Sequence, residues 1–252
     1  MPSSQDIAKW VEKYIDGSEW QSLDVVISKS ISKALPKVSI EKVADLTEEH
    51  LLHVDSILRN LRVILIEDGG IPSFELDEKD RYIRRINQDN TELASKLRSI
   101  DPFYFEEVCT LILEKLGAKA ETTSKTNDGG VDFYALEMTT YAATYPLPKS
   151  ATLAVVGQAK RYSLDHEVTE TEIRKFIGGA VLIVDQFRKE GKINVLSPVV
   201  YAFWTTSNLH IHAREYSQKM GVWHLNGMAL AEYILKLQLI DEIFPPPLEV
   251  NI

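Results

Sequence analysis

Two short stretches decide the fold of this chain: GGVD at residues 129–132 and QAK at residues 158–160. Each stretch adjoins an apolar run of the kind that is typical of a β-strand. Residues i and i+2 of a strand point to the same face, so we expect Gln158 and Lys160 to project together. Asp132, on a neighbouring strand, can then meet both side chains. The spacing therefore predicts a site that is shared by two paired strands.

The three residue types at this site suit the hydrolysis of a phosphodiester. Asp132 would supply an anionic oxygen, and Gln158 a neutral carbonyl oxygen, to a hard cation such as Mg²⁺. Such a cation can acidify the attacking water and stabilise charge on the phosphate. Lys160 would place an ammonium near the scissile phosphate. Two alternatives stay open, since Asp132 could be a turn or strand-edge acid and Lys160 a solvated strand end.

Around these residues the chain resembles the Mrr-like restriction endonuclease family, a branch of the PD-(D/E)xK nuclease superfamily. The resemblance covers roughly residues 100–235 and does not extend to the N-terminal hundred. It depends on several blocks that occur in the family's order. These blocks are FE at 105–106 and LG at 116–117, at the two ends of a predicted helix, then DGGVD at 128–132, QAKRY at 158–162, FIGGA at 176–180, TTS at 205–207 and LNG at 225–227.

The resemblance implies a metal-dependent DNA endonuclease with Asp132, Gln158 and Lys160 as its catalytic residues. Glu106 resembles the acid on the family's first helix and would join Asp132 and Gln158 as ligands of Mg²⁺ or Mn²⁺. Glu106 could equally serve only the helix dipole, as the acid beside it, Glu107, does. Gln158 stands where the superfamily commonly has an acid, which removes one negative charge. We therefore expect weak intrinsic affinity for the cation.

The charge and composition of the chain limit the kinds of partner that we expect. The net charge of −9 and the pI near 5.2 argue against a protein that coats nucleic acid by itself. Residues 103–233 are closer to neutral, with 13 Lys and Arg residues against 15 Asp and Glu residues. Within this part we predict that Lys125 and Arg161 contact DNA. The single cysteine, Cys109, excludes an intramolecular disulfide, and no apolar run is long enough for a membrane span, so we expect a cytoplasmic protein.

The chain divides into three parts in this interpretation. Residues 1–100 form a mostly α-helical region for oligomerisation, partner docking or recognition, residues 101–240 form the nuclease domain, and residues 241–252 form a tail. In the first part we predict helices at 5–16, 20–35, 47–66 and 91–99, and a connector or exposed helix at 75–90. In the second part the predicted order gives an α/β fold, a mixed central sheet flanked by helices. Its elements are helix 103–116, strands near 119–123, 130–137 and 151–160, helix 167–189, strand 197–205, helix 209–220, strand 222–225 and helix 227–239, with a long hairpin loop at 141–150.

The leading hypothesis is an endonuclease of prokaryotic restriction or anti-phage defence, a role that the resemblance implies. The family often acts through oligomers or with a motor ATPase, which implies a homo-oligomer and a possible ATPase or helicase partner besides DNA. No phosphate loop of the GxxxxGK(S/T) type occurs, so we expect no ATP hydrolysis in this chain. Two other hypotheses remain: a catalytically silent nucleic-acid-binding or assembly subunit that kept the fold, and an interaction adaptor led by the N-terminal helices.

Overall fold

The computed structural model describes residues 1–67, 70–77, 79–123, 130–138 and 152–245. Several predicted features lie outside these residues: Lys125, Asp128 and Gly129 of the DGGVD block, the hairpin loop at 141–150, and most of the tail. The chain forms two compact units, Met1–Glu92 and Leu93–Ile252. Among the described residues, no helix is both long and apolar enough to cross a membrane.

The N-terminal unit packs three helices and a small sheet around one apolar core. The first helix begins with a capping box, in which Ser3 and Asp6 satisfy each other's backbone N–H groups. Its described elements are α1 (Ser4–Tyr14), β1 (Gln21–Ser22), α2 (Leu23–Ala34), α3 (Ile40–Glu67), β2 (Phe74–Leu76) and β3 (Tyr82–Arg85). The strands pair antiparallel in the order β1-β3-β2. The region is mostly helical, as the sequence predicted.

The segment at residues 75–90 is where the prediction for this unit was wrong. It contains strand β3 and most of β2 rather than a connector or an exposed helix, and only residues 88–90 belong to a helix, the one that begins at Gln88. Leu76 and Ile83 pair across the two strands and are buried in the core, whereas Glu75 and Arg84 form an ion pair of 2.7 Å on the other face. The strands are only three and four residues long, so they contain too few residues to show the alternation of apolar and polar side chains that marks a strand. Their charged outer face makes the segment look like a solvent-exposed connector.

The C-terminal unit is built on a mixed sheet, as predicted. Its described elements are α4 (Gln88–Ser99, which starts just before the unit), α5 (Pro102–Lys115), β4 (Ala118–Thr122), β5 (Phe133–Met138), β6 (Leu153–Lys160), α6 (Glu170–Lys189), β7 (Val199–Thr205), α7 (Ile211–Met220), β8 (Trp223–Leu225), α8 (Gly227–Lys236) and α9 (Ile240–Ile243). The described strands form one sheet in the order β4-β5-β6-β7-β8. Strands β4, β5 and β6 pair antiparallel, whereas β6, β7 and β8 pair parallel.

Helices cover both faces of this sheet. On one face, Val155 and Ala159 of β6 join the core that includes α5 and α8. On the other face, Ala154 and Val156 join the core that includes α6. Strand β6 is therefore buried on both sides, which explains its nearly continuous apolar sequence. At Gly157 the ring of Phe133 lies so close that an added Cβ would overlap it.

Candidate active site

Asp132 immediately precedes β5, next to the end of β6. Its backbone N–H donates to the carbonyl of Gly157 at 2.8 Å, one step beyond the cross-strand pair of Phe133 and Gly157. Gly130, just before it, has a φ of +82°, a conformation that glycine adopts without steric cost. This turn brings Asp132 to the edge of the sheet at which β6 ends.

The carboxylate of Asp132 is the centre of the site. The side chain of Asp132 is only 9% exposed. Its Oδ2 accepts a hydrogen bond of 2.8 Å from the backbone N–H of Ala159, and it lies 3.4 Å from Nζ of Lys160. A buried carboxylate is costly unless it is paired and hydrogen-bonded, and here it is both. The structure thus brings together the acid and the lysine that the sequence predicted to meet.

Gln158 lies on the same strand, two residues before Lys160, and is 9% exposed. Its carboxamide faces the turn before Asp132, because a Cβ added at Gly130 would lie 3.4 Å from Nε2 of Gln158. Among the hydrogen bonds of the described residues, none uses the Gln158 side chain. A carboxamide offers both an acceptor oxygen and donor N–H groups, so it is chemically suited to a ligand.

Glu106 lies on α5, and its backbone carbonyl accepts a hydrogen bond from the Thr110 hydroxyl. Cys109 lies one turn further along the same helix, and its thiol is affected by the charges of both Glu106 and Asp132. Burial raises the pKa of the Cys109 thiol well above its ordinary value, and the negative charges of Asp132 and Glu106 raise it further. Both acids therefore act on one buried thiol. A raised pKa keeps this thiol protonated, which suits a packing residue rather than a nucleophile.

The donor set at this edge is small. In the described part of the chain, no group of three or more His, Cys, Asp and Glu side chains could hold a metal ion. At this edge Asp132 offers a carboxylate and Gln158 a neutral amide oxygen, whereas Glu106 as a third ligand stays a prediction. Mg²⁺ needs only one or two carboxylates, because it keeps several of its waters. The residues present thus fit a weakly held, partly hydrated cation.

Arg161 follows Lys160, and its guanidinium is partly engaged within the protein. Its NH1 group donates to the carbonyl of Arg98 at 2.8 Å, in the last turn of α4, and its Nε is buried without a partner among the described residues. A cation at a helix C-terminus is favoured by the helix dipole. Contact of Arg161 with DNA stays a prediction, as does that of Lys125.

The sequence reasoning missed a group of residues next to Lys160. Thr205 and Thr206, from the TTS block, hydrogen-bond the chain around Lys160, and Tyr162 of the QAKRY block donates to Glu172 at 2.9 Å. Burial and this hydrogen bond raise the pKa of Tyr162 to about 12. In the sequence, the QAKRY and TTS blocks support only the resemblance to the family. Their separation along the chain does not indicate that the threonines of TTS hydrogen-bond the backbone of QAKRY.

A restriction endonuclease family model, Mrr_cat, matches residues 97–234, more than half of the chain. The chain belongs to the Mrr-like restriction endonuclease family. The predicted site residues Glu106, Asp132, Gln158 and Lys160 all lie within the matched range. The chain therefore carries an Mrr-like catalytic domain on its C-terminal unit.

Two solved structures are similar to this Mrr-like chain. One is the MspJI restriction endonuclease in complex with a 27-mer oligonucleotide, at 16% identity and a TM-score of 0.43, over 61% of this chain and 32% of that one. The other is AspBHI, a DNA modification-dependent restriction endonuclease, at 16% identity and a TM-score of 0.43, over 63% of this chain and 40% of that one. The chain thus spans less than half the length of each. No curated protein matches it.

Proposed function

We propose that the chain is a DNA endonuclease that hydrolyses phosphodiester bonds with Mg²⁺ or Mn²⁺ at the site of Asp132, Gln158 and Lys160. One observation carries the proposal: Nζ of Lys160 lies 3.4 Å from the buried Asp132 carboxylate, at the strand end where Gln158 also lies. The membership in the restriction endonuclease family supports the same chemistry. Glu106 would complete the acids around the cation.

The residues of the chain divide the work. Asp132, Gln158 and Glu106 would hold the cation, which when bound supplies an acidified water and charge stabilisation at the phosphate. The N–H of Ala159 fixes one oxygen of Asp132, so the carboxylate keeps its orientation. Lys160 would donate hydrogen bonds to a phosphate oxygen and offset the charge that grows there.

The wider biological role is part of the same proposal. We place the enzyme in prokaryotic restriction or anti-phage defence, acting as a homo-oligomer because cleavage of both strands needs two sites. The N-terminal unit, Met1–Glu92, would serve recognition, oligomerisation or docking of an ATPase or helicase. The net charge of −9 supports a need for such help, because an acidic protein binds DNA modestly and with strong salt dependence.

A nuclease assay tests the proposal. The full chain is incubated with plasmid, linear and single-stranded DNA in Mg²⁺, Mn²⁺ or EDTA. Asp132→Asn and Lys160→Met are each expected to lower cleavage by about 100-fold or more, since each removes a charge that acts on the transition state. Asp185→Asn and Lys189→Met make the same chemical changes in an exposed ion pair of α6, so they are matched controls.

The outcomes separate the candidate functions. Cleavage that needs a divalent cation and is lost only in the two site variants supports the enzyme. Cleavage that survives both site variants shows that the activity comes from elsewhere. Binding of DNA without cleavage under any of these conditions supports the catalytically silent subunit, and stable complexes that persist in Asp132→Asn without DNA binding support the adaptor.

A further inference from the structure

The two residues after Lys160 are held by Thr206 rather than by strand pairing. The parallel ladder of β6 and β7 ends with the pair of Lys160 and Thr205. Beyond it, the backbone N–H of Tyr162 donates to the Thr206 hydroxyl at 2.9 Å, and that hydroxyl donates to the carbonyl of Tyr162 at 2.8 Å. The Thr206 side chain therefore takes the place of a main-chain partner and extends the pairing past the end of β6.

The carbonyl of Lys160 itself is held twice. The backbone N–H of Thr206 donates to it at 3.2 Å, and the hydroxyl of Thr205 donates to it at 2.8 Å. Both threonines are 0% exposed. Water cannot replace these hydrogen bonds at such a depth, so losing one leaves a polar group unsatisfied. The peptide groups on both sides of Arg161 are thus fixed in place.

Thr206 and its partner Tyr162 each make one further contact, and these contacts connect the segment after Lys160 to two helices. The carbonyl of Thr206 accepts a hydrogen bond of 3.1 Å from Nε of Arg98, in the last turn of α4. On the other side, the phenol of Tyr162 donates to Glu172, and Glu172 also accepts from Thr169 at the start of α6. The backbone N–H, the hydroxyl and the carbonyl of Thr206 are therefore all engaged.

These contacts matter because the lysine side chain is long. An ammonium on a flexible four-carbon stem can reach many places, so its position depends on a fixed backbone. Nζ of Lys160 lies 3.4 Å from Asp132, and its side chain is 31% exposed, so solvent is an available alternative. Small displacements of a catalytic group are costly, since about 1 Å can lower a rate 100-fold.

We propose that Thr206 is a positioning residue for Lys160: its buried hydroxyl fixes the chain after the lysine and so holds the ammonium against Asp132. Thr206 touches no reacting atom in this scheme and acts only through Lys160. The inference rests on the proposed function in one respect, namely that Lys160 serves cleavage. The placement of the lysine can be tested without cleavage.

The kinetic test uses Thr206→Val, which keeps the shape of the side chain and removes its hydroxyl. We expect kcat for DNA cleavage to fall about 10- to 100-fold, with KM for DNA unchanged, and Thr206→Ser to restore most of the rate. Thr47→Val in α3 and Ser217→Ala in α7 each remove a buried hydroxyl whose bond of 2.8 Å lies away from the site. These two controls are expected to keep the wild-type kcat. An unchanged kcat in Thr206→Val overturns the proposal.

A labelling test is independent of activity. The rate of reductive methylation of the Lys160 amine is followed by mass spectrometry in the absence of DNA. We expect it to rise about fivefold in Thr206→Val, the effect of one lost hydrogen bond, and to stay unchanged in Thr47→Val. Equal labelling in wild type and Thr206→Val overturns the positioning role even if cleavage is lost.

The two proposals can fail separately. If the wild-type chain cleaves nothing, the labelling result still decides whether Thr206 holds Lys160. If Thr206→Val does not fold, Thr206→Ala takes its place with the same readouts, because it also removes the hydroxyl that pairs with Tyr162. Equal labelling of wild type and Thr206→Ala would then overturn the proposal.

Discussion

Replacing Lys160 with methionine tests the charge pair on which the site depends. At an effective dielectric constant of about 20, two unit charges 3.4 Å apart attract by about 5 kcal/mol. Much of this is offset, because both charges lose water on folding and the lysine side chain stays 31% exposed. We therefore expect Lys160→Met to lower the free energy of unfolding by about 2 kcal/mol, less than the 3–5 kcal/mol lost when a fully buried pair is broken.

A double-mutant cycle isolates this effect from the loss of the lysine side chain itself. Asp132→Asn removes the charge but keeps an oxygen that can accept from the Ala159 N–H. In that background, Lys160→Met should cost less than about 1 kcal/mol, which gives a coupling energy of about 1–2 kcal/mol between the two positions. The pair Asp185→Asn and Lys189→Met, exposed on α6, should give a coupling below about 0.5 kcal/mol.

The measurement is urea unfolding in EDTA at neutral pH, followed by tryptophan fluorescence. Trp10 and Trp20 lie in the N-terminal unit, so they are first replaced by phenylalanine in every variant. Trp204 and Trp223 then report on the C-terminal unit alone. If the costs of Asp132→Asn and Lys160→Met simply add, the charges do not interact, and the geometry on which the catalytic proposal depends is refuted.

Three further predictions test the cation site, the support for Tyr162 and the packing of the sheet. Glu106→Gln should weaken Mn²⁺ binding about tenfold in calorimetric titration, whereas its neighbour Glu107→Gln should not, and equal affinities would remove Glu106 from the ligand set. Burial raises the pKa of Glu172, but hydrogen bonds from Thr169 and Tyr162 outweigh it and hold that pKa below the ordinary 4.5. Because its pKa is lower in the folded state than in the unfolded state, the ionised Glu172 stabilises the fold above the unfolded-state pKa, and this stabilisation is lost on acidification. Glu172→Gln should therefore lower the free energy of unfolding by about 1 kcal/mol at pH 7 and leave it unchanged well below pH 4.5, as measured by urea unfolding. Gly157→Ala should destabilise by about 2–3 kcal/mol because its Cβ would overlap an aromatic ring, whereas Gly178→Ala, with open space around it in α6, should stabilise by up to about 1 kcal/mol; thermal unfolding checks both.

The core of the C-terminal unit could be predicted because its elements are long and their patterns are strong. Strand β6 has eight residues, begins with an apolar run and is buried on both faces, and α6 carries buried residues at helical spacing over twenty residues. The i and i+2 rule then placed Gln158 and Lys160 on one face without further information. Long periodic segments leave little choice of local structure, so tertiary packing confirms what the pattern indicates.

The features that could not be predicted depend on contacts between distant segments. Strands β2 and β3 are too short to show a period, and only their pairing places Leu76 and Ile83 in the core. Thr206 carries no local sign of its role, because its partner Tyr162 is 44 residues away. Arg161 is predicted to contact DNA, and no local pattern indicates that part of its guanidinium binds the end of α4. Sequence spacing indicates which residues share a strand, but not which distant segment forms hydrogen bonds with them.

The mixed topology of the sheet explains why these segments converge. Strands β5 and β6 are antiparallel, so the start of β5, with Asp132 just before it, meets the end of β6, with Lys160. Strands β6 and β7 are parallel, so the end of β7, with Thr205 and Thr206, arrives at the same edge. In an all-parallel sheet, the residue that precedes β5 would lie at the opposite edge, and the acid could not reach the lysine. The change from antiparallel to parallel pairing at β6 is therefore what assembles the acid, the lysine and the threonines that hold it.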